Sequence, residues 1–345
     1  MPHSDSNTPP RHPVVDKIGL AWPPSKWANT HVLLAISGGA DSVALTRAVW
    51  HLKQQSGGDG QIFVAHFNHQ LRGKTADRDQ AMVATLCQEL SLPFHTGQPQ
   101  KPLDEQATDG VEAAARQARY EFLGHTAQQI GARLVATGHT SDDQAETVLH
   151  RLLRGTGVSG LAGIRFTRPL TPDIALVRPC LRIWRAEIED YLSTLGQTYC
   201  TDPTNTDPQF TRNRLRHDLL PKLRCDYNER VDQALVRLAE QATEAQCYLD
   251  TAVDKLVQDC VTVRPTKDQV VIHCKALDGQ PMLIYRELCR RAWTTNGWPL
   301  QAMGFEQWQK LARLAVAAPE SWPIILPGEI RAERRGEQLV LTRQS

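Results

Sequence analysis

The sequence predicts an α/β fold, with a parallel sheet covered by helices on both faces, followed by a long linker helix and a small α+β C-terminal domain. Three observations carry this prediction. Short apolar runs alternate with stretches of helical spacing over the first half of the chain. One amphipathic stripe then extends well beyond the length of an ordinary helix. After it, strand and helix patterns follow one another in a short C-terminal segment.

The alternation begins at residues 31–36, an apolar run that ends in a double glycine and precedes a helical pattern. Right-handed crossovers place the loops after parallel strands at one edge of the sheet, where ligands of such folds bind. Further strands are predicted at 61–67, from Pro93 and at 133–137. Helices are predicted at 77–90, 111–131 and 142–154, and a polar loop is predicted at 100–110.

Four parts are expected along the chain. Residues 1–26 are rich in Pro, Ser and His, lack the pattern of a signal peptide and are predicted to form a flexible tail. Residues 27–221 are expected to form the α/β domain, 222–261 the linker region, whose helix is predicted over 228–261, and 262–345 the small domain. Within the small domain we predict a strand at 270–273, helices at 282–294 and 305–317, and a closing pair of strands at 323–326 and 338–342.

Composition excludes several classes of protein. The 345 residues carry a net charge of +1, and no apolar stretch approaches the ~18 residues of a membrane helix, so no membrane partner is expected. The eight cysteines include no CxxC pair, which argues against zinc ribbons, iron–sulfur ligation and a disulfide scaffold and favours a cytoplasmic location. Local basic clusters at 178–185 and 212–224 have the charge needed to follow a phosphate backbone.

The strongest motif is Ser37-Gly38-Gly39-Ala40-Asp41-Ser42, between the first strand and its helix. Two glycines allow a tight turn and a close ligand, while the helix offers unpaired N–H groups and the positive end of its dipole. Together they predict a phosphate site. Because Asp41 would repel a bare phosphate, its presence implies a bridging cation such as Mg²⁺. The structural alternative is an ordinary helix cap, for which Ser and Asp are common.

A second polar cluster, His139, Asp142, Asp143 and Glu146, follows the strand at 133–137 and is therefore expected at the same edge. Asp142 and Glu146 are four apart on one helical face. Capping by Ser141 or Asp142 would explain one acid, but not three acids with a histidine. Carboxylates beside a phosphate site suit metal binding and capture of a cationic substrate, and which acid does what stays open.

Residues 66–72 follow the second strand and are predicted at the same edge, where a merely buried histidine is an equal alternative. Two other patterns are rejected. Gly73-Lys74-Thr75 lacks the first Walker glycine, since Asn68 stands in its place. Residues 155–160 fit GxGxxG but follow a helix instead of a strand, which disfavours a dinucleotide site.

The motif at 37–42 resembles the SGGxDS loop of the N-type ATP pyrophosphatases, and residues 31–221 resemble the tRNA(Ile)-lysidine synthases. This resemblance implies the PP-loop ATP pyrophosphatase fold, of the adenine nucleotide alpha hydrolase type, in a short form with one small C-terminal unit. The matching segments are 66–72, 112–120, 139–147, 154–157, 161–164, 178–179 and 211–216.

The resemblance also implies a reaction. ATP would adenylate the wobble cytidine of a tRNA(Ile) with a CAU anticodon, and L-lysine would then displace AMP to give lysidine. ATP would bind Ser37, Gly38, Gly39, Ala40, Asp41 and Ser42, with Mg²⁺ on Asp41; catalysis would involve Asp41, His139, Asp142, Asp143 and Glu146; and tRNA would bind Arg116, Arg119, Arg212, Asn213, Arg216 and the small domain. A homodimer is one of the oligomeric states left open.

Other functions remain as alternatives. A 2-thiocytidine synthase uses a related loop, but the missing CxxC counts against sulfur handling. GMP and NAD synthetases share the loop without the segments at 66–72 and 211–216. A non-catalytic nucleotide- or tRNA-binding module is a further alternative, against which the clustered acids favour turnover.

Overall fold

The computed structural model describes residues 12–69, 74–99, 111–201, 211–264, 268–317 and 322–344. The chain divides into two compact units, residues 1–240 and 241–345. Two predicted segments lie outside the described residues: the polar loop at 100–110, and residues 70–72 of the segment 66–72. Among the described helices none is long and apolar enough to cross a membrane.

The first unit contains a six-stranded sheet in the order β3-β2-β1-β4-β6-β5. All neighbouring strands are parallel except β5, which pairs antiparallel to β6. The strands are β1 (Val32–Ala35), β2 (Ile62–Phe67), β3 (Phe94–Gly97), β4 (Leu134–Thr137), β5 (Thr167–Thr171) and β6 (Ile174–Val177). The predicted parallel sheet is therefore confirmed, with one antiparallel strand added at its edge.

Helices follow most of these strands, and one of them runs across the division between the units. They are α1 (Pro13–Ala21), α2 (Ala40–Ser56), α3 (Lys74–Leu90), α4 (Val111–Gln129), α5 (Ser141–Leu153), α6 (Val158–Leu161), α7 (Arg185–Thr194), α8 (Thr211–Arg214), α9 (Leu220–Asp226) and α10 (Val231–Cys260). A 3₁₀ turn covers Pro24–Lys26, and a π-helical turn, Leu215–Leu219, joins α8 to α9.

The side chains of β1 explain why helices cover both faces. Val32 and Leu34 pack with the α2 residues on one face, whereas Leu33 packs with Leu123 of α4 on the other. Successive side chains of a strand point to opposite faces, so an uninterrupted apolar strand must be covered on both. This packing places α2 and α4 on opposite faces of the sheet.

The flexible tail predicted for residues 1–26 is wrong for its second half. The helix α1 begins after His12, whose side chain accepts a hydrogen bond from the Val14 N–H at 3.2 Å. Its residues Val14 and Ile18, and the following Trp22, are buried in the same apolar cluster as α2. A helix of nine residues carries too few turns to reveal its buried face through periodicity alone.

The second unit is an antiparallel sheet in the order β7-β8-β11-β10-β9, with two helices whose residues share its apolar core. The predicted small α+β domain and the long helix are confirmed. The two predicted closing strands exist, but β10 lies between them, so they do not pair with each other. The elements are β7 (Val261–Arg264), β8 (Gln269–His273), a 3₁₀ turn at Cys274–Leu277, α11 (Met282–Thr295), α12 (Phe305–Val316), β9 (Ile324–Leu326), β10 (Ile330–Arg335) and β11 (Gln338–Arg343).

Candidate active site

Three loops meet at the carboxyl edge of the first sheet, after β1, β4 and β6. The register places Ala35 beside Thr137, and Ala136 beside Val177, so these strands end close to one level. A Cβ on Gly138 would lie only 2.8 Å from the backbone of Asp41. The expected meeting of the glycine loop with the second polar cluster is thus observed, and it requires a glycine at 138.

The glycine loop has the geometry that a phosphate site needs. Gly38 has φ +96°, a left-handed conformation that L side chains rarely adopt, and its carbonyl accepts a hydrogen bond from the Cys200 N–H at 3.0 Å. Ser42 Oγ donates to the Gly39 carbonyl at 2.8 Å, and Ser37 Oγ lies 3.4 Å from Ser42 Oγ. The hydroxyls therefore stand beside the start of α2, where helical N–H groups lack intrahelical partners.

Asp41 forms an ion pair that the sequence did not predict. Its Oδ2 accepts a hydrogen bond from Arg185 Nη1 at 2.8 Å, while its buried Oδ1 has no hydrogen-bond partner among the described residues. Burial raises the pKa of Asp41 to about 7, against the opposing charge of Arg185. A carboxylate oxygen left without a partner beside a phosphate loop fits one ligand position of a divalent cation.

The described residues contain no group of three or more His, Cys, Asp or Glu side chains that could hold a metal ion. Magnesium usually takes one or two carboxylates and completes its shell with water and substrate phosphates, so Asp41 fits a site of that kind.

Arg185 also connects Asp41 of the glycine loop with Asp142 of α5. Its backbone N–H donates to Asp142 Oδ2 at 2.8 Å, and its Nε donates to Glu189 at 2.9 Å. Burial raises the pKa of Asp142, and the hydrogen bond from Arg185 offsets this only partly. One residue at the start of α7 therefore positions both Asp41 and Asp142.

The other two acids are held by arginines from α8 and the π-helical turn. Arg212 donates to Asp143 Oδ1 at 2.7 Å and to Glu146 Oε2 at 2.9 Å, and Arg216 donates to Glu146 Oε1. The Glu146 side chain is only 2% exposed, so its charge depends on these partners. Burial raises the pKa of Asp143, but the charge of Arg212 outweighs it, and the pKa lies below its usual value.

The cap of α5 differs from the two alternatives considered. Thr140, not Ser141 or Asp142, is the N-cap residue, and it forms a capping box with Asp143. The Thr140 N–H donates to Asp143 Oδ2 at 2.9 Å. Asp143 thus has a structural role in the cap as well as its contact with Arg212.

Of the histidines at this edge, His66 is buried and His139 is half-buried. His139 Nδ1 lies 2.9 Å from Thr137 Oγ1, and burial lowers the pKa of His139 to about 3, so the ring is neutral. His66 Nδ1 lies 2.9 Å from the Ile36 carbonyl, and burial lowers its pKa as well. For His66 this is the buried-histidine alternative considered from the sequence.

The arginines predicted to contact tRNA fall into two groups. Arg212 and Arg216 remain 45% and 34% exposed while they hold the acids, and Asn213 lies between them in the chain. Arg116 and Arg119 instead lie on α4, with their Cζ atoms 5.1 and 5.2 Å from the centroid of the Tyr120 ring.

Known proteins resemble this chain in sequence. A model of the PP-loop domain matches residues 17–223. The tRNA(Ile)-lysidine synthase of Geobacter sulfurreducens is 35% identical over 91% of this chain, and that of Rhodopirellula baltica is 32% identical over 91%. The chain belongs to the tRNA(Ile)-lysidine synthase family. It spans 65% of the Geobacter relative, just under two thirds, and 87% of the Rhodopirellula relative.

The family assignment agrees with the fold. A U34-tRNA thiolase of Methanococcus maripaludis superposes with a TM-score of 0.56 at 17% identity, over 67% of this chain and 78% of that protein. At this identity the likeness supports the fold alone, which is the PP-loop fold predicted from the glycine motif. The PP-loop match begins within α1, so this helix belongs with the domain and not with a tail.

Sequence reasoning missed Arg185 as a site residue and Gly138 as the point of contact between loops. Arg185 was noticed only as one member of a basic cluster. Gly138 offered a better signal, since a glycine directly after a strand at the ligand edge often marks a close backbone approach.

Proposed function

We propose that the protein ligates L-lysine to C2 of the wobble cytidine of tRNA(Ile) with a CAU anticodon. ATP would first adenylate the C2 oxygen and release pyrophosphate, and the lysine side-chain amine would then displace AMP to give lysidine. The observation that carries this proposal is the contact of the glycine loop with the acid-bearing loop at Gly138. It brings the glycine loop, which we propose binds phosphate, together with several carboxylates at one edge of the sheet.

The first step forms a bond between the C2 oxygen and the α-phosphorus and breaks the bond to pyrophosphate. Residues 37–42 would hold the departing phosphates with backbone N–H groups and the Ser37 and Ser42 hydroxyls. Asp41 Oδ1 would be a ligand for Mg²⁺, which when bound supplies positive charge to the phosphate oxygens. Arg185 would hold the same carboxylate in place through Oδ2.

The second step forms the bond between the lysine nitrogen and C2 and breaks the bond from C2 to the oxygen of AMP. A lysine amine has an ordinary pKa of about 10.4, so it must lose a proton before it attacks. Asp142 suits the role of proton acceptor because burial raises its pKa and because its hydrogen bond from Arg185 comes from a neutral backbone N–H. Asp143 and Glu146 would give the ammonium group its anionic surroundings, in exchange for part of their contact with Arg212.

His139 and the remaining arginines would act on the RNA. The neutral His139 ring beside Thr137 can donate or accept a hydrogen bond but carries no charge. Arg116, Arg119, Arg212 and Arg216, with Asn213, would contact the anticodon loop, whose unpaired bases leave the stack at low cost.

The direct test is mass analysis of nucleosides from tRNA(Ile) transcripts incubated with the full chain, ATP, Mg²⁺ and labelled lysine. We expect lysidine at the wobble position, and none in a transcript whose wobble base is uridine. Release of pyrophosphate without lysine incorporation would overturn the proposal. A sulfur-containing cytidine formed with a sulfur donor would instead support the thiocytidine alternative.

The assignment of the proton acceptor has its own test. For Asp142→Asn we expect adenylation within about threefold of wild type and lysine transfer at least about 100-fold slower, as is typical when a general base is lost. Asp143→Asn and Glu146→Gln serve as comparison variants, assayed in the same two steps. Normal transfer by Asp142→Asn at neutral pH would remove Asp142 from this role.

A further inference from the structure

Four arginines surround Tyr120 at the carboxyl edge of the first sheet, and we call Arg116, Arg119, Arg168 and Arg178 the arginine cluster. The Cζ atoms of Arg116, Arg119 and Arg168 lie 5.1, 5.2 and 4.7 Å from the centroid of the Tyr120 ring. Arg178 directly follows β6, and it is close enough to Tyr120 and Arg168 for their charges to affect its pKa. The cluster therefore joins α4, β5 and the end of β6.

This positive charge has no acidic partner in the described part of the chain. The largest electrostatic effects on Arg119 and Arg178 come from Tyr120 and other arginines. Arg178 is only 3% exposed, its Nη1 donates to the Arg165 carbonyl at 2.5 Å, and its buried Nε has no partner among the described residues. Since arginine does not give up its proton, a buried guanidinium without an anion is costly.

Tyr120 adds a second unsatisfied group. Its buried hydroxyl oxygen forms no well-aligned hydrogen bond with the described residues, although Arg119, Arg168 and Arg178 lie near it. Burial raises the pKa of Tyr120, but Arg116 and Arg119 outweigh it and the pKa lies below its ordinary value. Buried polar groups normally find partners, and phosphate oxygens accept from several guanidinium groups and a hydroxyl at once.

The position of the cluster indicates which phosphate it would bind. Arg119 and Arg178 both lower the pKa of His139, so the cluster adjoins the candidate active site. The glycine loop leads into α2, however, while Tyr120 packs with the α4 core on the opposite face of the sheet. A phosphate held at the arginine cluster is therefore a different one from the phosphates in the glycine loop.

A groove of about 480 Å³ continues from the cluster along α4 and β5. Its polar lining comes from Tyr120, Arg168, Gln117, His125, Gln128 and Glu121. The Glu121 carboxylate accepts a hydrogen bond from Gln117 Nε2 at 2.8 Å. Polar side chains of this kind suit the sugar and base edges of a nucleotide, which a purely apolar groove would not.

We propose that the arginine cluster binds a phosphodiester of the RNA backbone beside the target cytidine, and that the groove receives the adjoining nucleotide. The identity of the RNA rests on the proposed function. The proposal assigns Tyr120, Arg168 and Arg178 to RNA binding and gives Arg116 and Arg119 a common ligand.

The test compares Arg168→Gln with Arg133→Gln, which removes the same charge from an exposed side chain directly before β4, at the opposite edge of the sheet. Affinity for a CAU anticodon stem-loop RNA is measured at several salt concentrations, and ATP affinity on the same preparations. For Arg168→Gln we expect at least about tenfold weaker RNA binding and a log–log salt slope smaller by about 0.7, with ATP affinity unchanged. Arg133→Gln should keep the wild-type slope.

Two more variants protect the test against misfolding. Arg168→Lys keeps the charge and should restore the salt slope, and Tyr120→Phe should weaken RNA binding a few-fold without changing the slope, because a hydroxyl carries no charge. Equal slopes for Arg168→Gln and Arg133→Gln would overturn the proposal. So would a loss of ATP affinity with RNA binding intact, which would assign the cluster to nucleotide phosphates.

The wild-type lysidine assay separates this proposal from the proposed function. If wild type binds RNA through Arg168 but forms no lysidine, the proposed function fails and the RNA site stands. If wild type forms lysidine while Arg168→Gln binds RNA as Arg133→Gln does, the RNA site fails alone.

Discussion

Asp41→Asn should make the first unit more stable while it removes ATP use. Asp41 is half-buried beside the glycine loop, and its pKa of about 7 stands well above the ordinary 3.8. Above pH 7 the folded state therefore carries a carboxylate that would be ionised at less cost in the unfolded chain. At about 1.4 kcal/mol per pKa unit, the difference between the two pKa values lowers the free energy of unfolding by about 4 kcal/mol above pH 7. Because the side chain is 25% exposed, solvent screening reduces the expected gain for Asn to about 2 kcal/mol.

The sign of this effect depends on pH in a defined window. Between about pH 4 and pH 7 the folded state binds one proton more than the unfolded state at Asp41, so wild-type stability from this group falls as pH rises. The advantage of Asp41→Asn should therefore be near zero at pH 4 and reach its full value above pH 7. Arg185 keeps Glu189 as a partner in the variant.

The measurement is equilibrium urea unfolding at pH 5 and pH 8, with thermal unfolding as a second readout. At pH 8 the variant should gain about 2 kcal/mol, which is about 4–8 °C in the Tm of a unit of this size. Asp173→Asn, in the exposed turn between β5 and β6, should change neither quantity. A variant less stable than wild type at pH 8, or a gain that does not vary with pH, would refute the burial argument. Pyrophosphate release should be lost in Asp41→Asn, because the candidate cation ligand is gone.

Three other outcomes are expected. Gly138→Ala should slow pyrophosphate release about 100-fold, because its Cβ would force apart two backbones now in contact, whereas Gly157→Ala, which meets nothing within 4 Å, should remain near wild type; equal rates would contradict the contact. Glu146→Gln should lower the free energy of unfolding by about 2 kcal/mol, since two arginines lose their shared buried charge, and unchanged urea unfolding would show that the pairs contribute nothing. The His139 ring, with its pKa lowered by burial to about 3, should show no NMR titration between pH 5 and pH 8; a midpoint near 6.5 would contradict its burial.

The central part of the fold was predictable because its strands are uninterrupted apolar runs. β1, β2 and β4 each precede a polar or glycine-rich loop and are buried or nearly so, and such runs are typical of parallel strands. β5 and β6 were missed for a physical reason. Pro169 lies within β5 and argues against a strand, and it is accommodated because β5 is the edge strand of the sheet. β6 pairs with β5 across a two-residue turn, so missing β5 also removed the hairpin signal for β6.

The candidate site was predictable where its residues follow strands, and unpredictable where its contacts join distant segments. The glycine loop and the acids of α5 could be placed at one edge from topology alone. The pairing of Arg185 with Asp41 joins residues 144 positions apart, and that of Arg216 with Glu146 joins residues 70 apart. No local period in the sequence encodes such a pair. The sequence therefore predicted only RNA contacts for Arg212 and Arg216, and it gave no sign that Asp143 and Glu146 hold them.

The distribution of charge around the sheet edge gives these pairings a consequence for substrate order. Asp41, Asp143 and Glu146 already have guanidinium partners, so a lysine ammonium has to compete with Arg212 for the carboxylates. The arginine cluster, by contrast, has no carboxylate to release among the described residues before it takes an anion. A polyanion such as RNA can therefore bind the arginine cluster without displacing a carboxylate. A cation can bind the carboxylates only by displacing an arginine that is already paired with them. RNA that also contacts the partly exposed Arg212 would draw this side chain from Glu146 and leave a carboxylate for the ammonium group. Under the proposed function, these charges favour binding of lysine after binding of RNA.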